Sequence, residues 1–132
     1  MPLVSTNPLA DALKRDFRDG WTDALNDLLA TAVEFAAVSE EEDPPRWAQA
    51  AGHLRVRALL LLDLERDWAD LGGPPPNLGG GSINHLYRWA IEYAQLEERG
   101  VMDPRPLFRA AEQYAIEHAR FQAAERRARG DN

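Results

Sequence analysis

Residues 46–71 read RWAQAAGHLRVRALLLLDLERDWADL and carry the pattern around which we expect the rest of the chain to pack. Apolar side chains recur there at steps of three and four residues, which places them on one face of an α-helix. This stripe consists of Trp47, Ala51, Leu54, Ala58, Leu61, Leu64, Trp68 and Leu71. The run from Ala58 to Leu62 is apolar all round, so we expect neighbouring helices to cover that turn on every side. We predict a central helix with Leu61 and Trp68 buried.

Three further helices follow from apolar periodicity and from capping signals. Asn7-Pro8, Asp43-Pro44 and Asp103-Pro104 each place a capping side chain before a proline, a combination typical of the first turn of a helix. Ser82 is a further candidate cap, and Gly100 is placed to end the helix that Ser82 would begin. We predict helices near residues 8–38, 44–71, 83–99 and 104–128.

The first helix contains Gly20 in its interior. The apolar stripe passes through this position without a shift, which favours one helix, whereas a bend at Asp19-Gly20 would give two. A glycine inside a helix costs about 1 kcal/mol relative to alanine. That cost would be offset if the missing side chain allowed another backbone to approach closely.

Residues 72–82 read GGPPPNLGGGS and form the one linker-like stretch. Consecutive prolines make an extended spacer, and the glycines on either side loosen the chain. The stretch either separates two helical hairpins or crosses over within one bundle, and we favour the crossover because a lone hairpin rarely has enough core to fold. We therefore predict an all-α protein, a four-helix antiparallel bundle forming a single domain over residues 1–132. Residues 1–7 and 129–132 are its tails.

The composition and charge suit an ordinary globular protein. Hydrophobic residues make up 45% of the 132 residues and charged residues 28%, unlike a disordered chain. There is no cysteine and no basic start followed by an apolar run, so we expect no disulfide, no secretion signal and a cytoplasmic location. The net charge of −7 is uneven: residues 1–45 hold ten acidic and three basic side chains, whereas residues 46–132 hold twelve of each. Such asymmetry is typical of a docking surface or of solvated helix faces.

Motifs for catalysis or cofactor binding are missing from the sequence. The triple glycine lacks the lysine of a phosphate-binding loop, and none of the three serines lies in a GxSxG motif. His53, His85 and His118 lie on three different predicted helices, but none follows a glutamate by three residues, as in carboxylate-bridged metal bundles. We expect neither an enzyme, a bound metal nor a cofactor, and no membrane or small-molecule partner is evident.

The third helix is unusually apolar for a surface helix. One stripe is Ile83, Tyr87, Ala90, Ile91 and Ala94, a second is Leu86, Trp89, Tyr93 and Leu96, and the polar strip is His85, Arg88, Glu92, Gln95 and Arg99. Such a helix is either covered by its neighbours or shares a face with a partner. Tryptophan and tyrosine are enriched at interface centres. We predict that Leu86, Trp89, Tyr93 and Leu96 bind another protein or a second copy of the chain, the alternative being a place in the core.

The fourth helix suggests an alternative partner. Its last turns carry Arg120, Arg126, Arg127 and Arg129 together with Phe121, and arginines with aromatic rings can follow a nucleic-acid backbone. Interleaved glutamates and the acidic net charge weaken this interpretation. We therefore favour a non-enzymatic adaptor, chaperone-like or inhibitory subunit over a nucleic-acid-contacting subunit of a larger assembly. Size and charge, but no motif, suggest a phage or defence system as its setting.

Overall fold

The computed structural model describes residues 8–72, 78, 81–101 and 103–130, and the regular elements of this part are four α-helices. They are α1 (Pro8–Ala36), α2 (Pro44–Asp70), α3 (Ser82–Glu98) and α4 (Arg105–Ala128). α1 and α3 each pack against both α2 and α4, which makes a four-helix bundle. The predicted all-α bundle is confirmed, and every helix begins and ends within two residues of its predicted bounds.

Three side-chain pairs show that α1 and α2 are antiparallel. The rings of Phe17 and Trp68 stack with centroids 4.9 Å apart near the start of α1 and the end of α2. Asp27 and Arg57 approach to 3.7 Å between a carboxylate oxygen and a guanidinium nitrogen at the middle of the pair. At the far end, Phe35 and Trp47 lie 5.7 Å apart, and Phe108 of α4 contacts both rings. The aromatic contacts thus connect the two ends of α1 to the opposite ends of α2.

One hydrophobic core receives side chains from all four helices. Its largest fully buried members are Phe35, Leu28, Leu54, Leu61, Leu62, Leu86 and Leu107. Thr31 is a buried polar residue, and its hydroxyl donates a hydrogen bond of 2.7 Å to the Asp27 carbonyl within α1. Leu61 is therefore buried as predicted, which places the middle of α2 in the core.

Two expectations for α2 are wrong. Trp68 is only partly buried, because it lies near the end of α2 and is covered on one face by the stacked ring of Phe17. Leu60 is 45% exposed although it lies in the run that we expected to be covered on every side. α2 packs against α1 and α3, and two neighbours cover only part of the circumference of a helix. The side of α2 that carries Leu60 is consequently open to solvent.

The helix starts test the predicted caps. Oδ1 of Asp43 accepts a hydrogen bond of 3.3 Å from the Arg46 N–H, so Asp43 caps α2 as predicted. Ser82 is wrong as a cap, because α3 already includes it and Gly81, at φ 125°, takes the cap position. Asp103 lies one residue before the cap position of α4, yet its Oδ1 still accepts a 3.2 Å bond from the Arg105 N–H. Asn7 lies outside the described residues.

Gly20 does not interrupt α1, which is continuous from Pro8 to Ala36. No close backbone approach offsets the cost of this glycine, since no atom beyond its own helix and chain neighbours lies within 4 Å of where a Cβ would stand. Gly20 is also exposed. The glycine therefore has no packing role in the structure.

The predicted linker and tails fall mostly outside the described residues. Residues 73–77, 79 and 80 are not described, so the crossover stays a prediction. Leu71 and Gly72 end α2 in a turn, with Gly72 at φ 76°, and Leu78 is partly buried against the core. None of the described helices is long and apolar enough to cross a membrane.

Candidate interaction surface

α3 turns most of its apolar residues towards the core. The buried set is Leu86, Tyr87, Ala90, Ile91, Tyr93 and Ala94. Leu86 and Tyr93, two of the four predicted partner-binding residues, are 0% and 3% exposed, so in the folded chain they are core residues. The physical reason is that α2 and α4 both pack on α3 and cover parts of two stripes instead of one. Trp89 and Leu96 stay partly exposed.

A polar cluster fixes the position of Tyr93. Nε of Arg55 donates a 2.6 Å hydrogen bond to the Tyr93 hydroxyl, and the same guanidinium lies 3.5 Å from Oε1 of Glu97. Burial raises the pKa of Tyr93, and its hydrogen bond with Glu97 raises it further. Oε2 of Glu97 is buried and has no hydrogen-bond partner among the described residues. Tyr93 therefore connects α3 to α2 and is not available to a partner.

A second tyrosine of α3 is held in a similar way. The Tyr87 hydroxyl donates a short hydrogen bond to Oε2 of Glu65 in α2, and its ring meets the edge of Trp21 at a centroid distance of 5.8 Å. Burial is the main cause that raises the pKa of Tyr87, followed by the hydrogen bond with Glu65. At the surface, Arg66 of α2 forms a bidentate ion pair with Glu98, with its two terminal guanidinium nitrogens 2.6 and 2.7 Å from the two carboxylate oxygens. These contacts position α3 on α2.

Trp89 lines a surface groove of about 400 Å³, which we name the Trp89 groove. Its described lining residues are Gly81, Asn84, His85, Arg88, Trp89 and Glu92. They recur at steps of three and four residues, so they share one face of α3. The imidazole of His85 meets the indole of Trp89 edge-on at a centroid distance of 6.4 Å. The groove thus combines an indole with an amide, an imidazole, a guanidinium and a carboxylate.

The sequence pattern indicates the parts of this groove but not their combination. Trp89 was predicted as an apolar contact, and His85, Arg88 and Glu92 as a separate polar strip. Asn84 was missed. His85 and Trp89 are four residues apart, as are Arg88 and Glu92, so each pair lies on neighbouring turns of one helix face. This spacing is the sequence signal that places Trp89 beside the polar residues.

The arginines of the nucleic-acid alternative lie in the last turns of α4 and directly after it. Arg120, Arg126, Arg127 and Arg129 are all exposed, and Phe121 beside them is 63% exposed. Glu117 and Glu125 are exposed among them. The end of α4 therefore exposes four arginines, two glutamates and one aromatic ring to solvent.

The three histidines do not form a common site. His53 and His85 are exposed, whereas His118 is partly buried and stacks on Tyr114 with ring centroids 5.6 Å apart. Over residues 8–72, 78, 81–101 and 103–130, no three histidine or carboxylate side chains are grouped so that they could hold a metal ion.

No protein-family model, curated protein or solved structure matches this chain. A four-helix bundle by itself does not specify a function, because such bundles carry many unrelated activities. The function is therefore inferred from the residues at the surface of the bundle.

Proposed function

We propose that the protein is a non-enzymatic binding module that docks another protein through the Trp89 groove. It would act as an adaptor, chaperone-like or inhibitory accessory subunit. The observation that carries this proposal is the position of Trp89: α3 buries Leu86 and Tyr93 from the same stripe but leaves the indole partly exposed. Exposed tryptophans are among the residues most enriched at interface hot spots.

The surroundings of Trp89 support a protein as its ligand. Protein interfaces commonly have an apolar centre and a polar rim that carries hydrogen-bonding groups. The indole supplies such a centre, and Asn84, Arg88 and Glu92 supply donors and acceptors of both charge signs around it. Leu96, two turns further along α3, adds partly exposed apolar surface.

The shape of the groove favours a protein segment over a small molecule. Sites for small molecules enclose most of the ligand surface between several elements. The described lining of the Trp89 groove comes from α3 and the residue before it, so it is one helix face. A flat or convex segment of another protein can cover such a face, whereas a small molecule would stay largely exposed on it.

The test is a binding measurement on Trp89→Ala. The tagged chain is used to isolate partners from its source cells, and the partner recovered in purified form is then titrated by calorimetry. We expect Trp89→Ala to weaken binding by about 2 kcal/mol or more, as at a hot spot, with the melting temperature little changed. Partial exposure of Trp89 is the reason that the fold should survive.

Phe121→Ala is the matched control, because Phe121 is an exposed aromatic residue outside the groove. It should leave the affinity unchanged. Equal loss of affinity in both variants, or none in Trp89→Ala, would contradict the proposal. If Trp89→Ala unfolds the protein, then Arg88→Ala and Glu92→Ala, both at exposed positions of the groove, provide the same comparison.

The exposed arginines at the end of α4 favour nucleic acid as the second candidate partner. In that case glutamine at Arg126, Arg127 and Arg129 should weaken binding and make its dependence on salt shallower, because fewer counterions are released. A protein partner bound in the Trp89 groove should tolerate the triple change, with an effect mainly on association rate. Fluorescence anisotropy with single- and double-stranded RNA and DNA at low salt distinguishes the two candidates.

A further inference from the structure

α1 and α4 leave an apolar strip on the outside of the bundle, away from the Trp89 groove. We name it the α1–α4 strip, and its apolar residues are Val33, Ala36, Ala37, Ala115, Ile116 and Ala119. Ile116 is 54% exposed, which is high for an isoleucine in the middle of a 24-residue helix. Its neighbours Ala115 and Ala119 are small, so the backbone of another helix could approach closely. This surface needs an occupant that matches its charges as well as its shape.

The charges on α4 are arranged symmetrically around Ile116. Glu112 lies four residues before it and Arg120 four residues after it, so both lie about one turn away on the same face. Both side chains are exposed, and neither belongs to an ion pair among the described residues. The surface therefore carries opposite charges at equal distances on either side of an exposed isoleucine.

We propose that the α1–α4 strip is the interface of a symmetric homodimer in which α4 packs antiparallel to α4 of a second copy. In an antiparallel pair centred on Ile116, a residue four positions after the centre faces the residue four positions before it on the other helix. Arg120 then faces Glu112 of the second copy, and Glu112 faces Arg120 of the second copy. Because the two copies are related by two-fold symmetry, the interface contains this ion pair twice, as in any isologous interface.

The residues further from the centre allow this arrangement. Arg109 faces Ala123 of the second copy, and Gln113 faces Ala119. The one like-charged pair is Arg105 with Arg127, which lie eleven residues from the centre, about 16 Å along the axis. Packed helices cross at an angle, so their separation grows with that distance. Arg105 is also held by Asp103, with Nε and Oδ1 2.9 Å apart.

The charge pattern is the reason to choose a second copy as the occupant. An unrelated protein could cover Ile116 and the alanines, but it would not require Glu112 and Arg120 to be equidistant from Ile116. A helix pair is smaller than a standard interface, which buries about 800 Å² per partner. We therefore expect a reversible dimer with a micromolar Kd.

Sedimentation equilibrium of the full chain, from about 1 µM to about 1 mM, tests the dimer over the range of a weak interface. Ile116→Asp should raise the dimer Kd about 30-fold or more, as at an interface hot spot. Val56→Asp is the matched control, because Val56 is an apolar residue of α2 that is 53% exposed. It should leave the Kd unchanged.

Charge reversal tests the arrangement itself. Glu112→Arg and Arg120→Glu should each raise the Kd at least about tenfold, because each change puts like charges opposite one another twice. The combined variant E112R/R120E restores opposite charges and should return the Kd to near that of the wild type. Circular dichroism checks that each variant keeps its helices. If Ile116→Asp does not fold, the charge variants at the exposed positions Glu112 and Arg120 test the dimer instead.

A chain that stays monomeric at every concentration overturns the proposal and leaves the strip to a different protein. A dimer that tolerates Ile116→Asp, or a combined charge variant weaker than both single variants, also overturns it. The inference is independent of the proposed function, since Trp89→Ala should leave the dimer intact and Ile116→Asp should leave binding in the Trp89 groove intact.

Discussion

α2 and α3 both carry more apolar residues than one buried stripe requires, but the surplus lies in different places. In α2 the surplus is at the surface, where Val56 and Leu60 are about half exposed. In α3 most of it is inside, where Leu86 and Tyr93 are buried. The apolar residues of α3 that reach the surface are Ile83, which is 40% exposed, and the partly exposed Trp89 and Leu96. The two helices contribute to the same core and each packs against two others.

The difference between the helices follows from their lengths and neighbours. α3 has 17 residues and packs against two longer helices, of 27 and 24 residues, and six of its side chains are buried. α2 has 27 residues and one of its two neighbours is the shorter α3, so more of its surface stays uncovered. The number of apolar residues on a helix therefore does not determine how many of them are buried.

The largest expected effect tests α2, where a buried and an exposed leucine are adjacent. Leu61 is fully buried and Leu60 is 45% exposed. Leu61→Ala should lower the free energy of unfolding by about 2–5 kcal/mol, through lost apolar burial and the cavity left behind. Leu60→Ala should change it by less than about 0.5 kcal/mol, as is usual for surface positions. Urea denaturation of both variants measures the contrast.

Similar losses in the two leucine variants would mean that Leu60 is covered in solution, by a partner or by a second copy of α2. The additional apolar residues of α2 would then be buried between chains in an assembly, whereas most of those of α3 are buried within one chain. Repeating the denaturation at two protein concentrations separates these cases, because the stability of an oligomer depends on concentration.

A smaller effect is expected at Tyr93, whose hydroxyl belongs to the polar cluster between α2 and α3. Tyr93→Phe removes the acceptor of the 2.6 Å hydrogen bond from Arg55. We expect a loss of about 1.5–3 kcal/mol in the free energy of unfolding, the usual net value of a hydrogen bond to a charged group. Tyr114→Phe is the control, since Tyr114 is also buried and its hydroxyl has no hydrogen bond with the described residues.

Alkaline pH gives a second comparison at the same position. Because burial raises the pKa of Tyr93 in the folded state, the unfolded state ionises first as the pH rises above the ordinary value of 10.0. Stability that is present below that pH is therefore lost above it. The Tyr93→Phe variant should lose less stability than the wild type between pH 9 and about 11. If the wild type and the variant lose equal stability over this pH range, then ionisation of Tyr93 does not contribute to the pH dependence of folding.

The helix bounds were predictable because the signals that set them are local. Asp43 with Pro44, and Gly100 after α3, mark helix ends within a few residues of sequence. The burial of individual side chains was not, because it depends on which helices become neighbours. Arg55 and Tyr93 are 38 residues apart in sequence, and no local pattern relates them. The wrong expectations at Leu60 and Trp68, and the choice between core and interface that stayed open for Leu86 and Tyr93, share this cause.

The candidate surfaces were predictable only in part for the same reason. Trp89 is a candidate interface residue because of its residue type, which the sequence shows. Its partial exposure depends on how the helices pack, which the sequence does not show. Ile116 does not stand out in the sequence, because a seam at alternating steps of four and three residues accounts for the apolar pattern of α4 without it. The seam consists of Leu107, Ala111, Tyr114, His118 and Phe121. The position of Ile116 off that seam is a signal in the sequence, but that it lines the same strip as Val33 of α1 depends on how the two helices pack.

The smallest expected effects concern glycines, which occur inside α2 and directly after α3. Gly52 lies within α2, and no atom beyond its own helix and chain neighbours lies within 4 Å of the place where a Cβ would stand. Gly52→Ala should therefore stabilise the protein by about 0.5–1 kcal/mol, because alanine has the better helix propensity and restricts the unfolded chain. Gly20→Ala in α1 should do the same, since its surroundings are equally open.

Gly100 is the matched control with the opposite sign. Its φ of +82° belongs to the left-handed region that an alanine adopts only with strain, although the space around it is open as well. Gly100→Ala should lower the free energy of unfolding by about 1 kcal/mol. Thermal melting of the three variants thus separates a glycine that ends a helix from one that merely weakens it. If Gly52→Ala destabilises the protein, then another chain contacts α2 at that point, because the space around Gly52 within the chain is open, and this side of α2 is an interface.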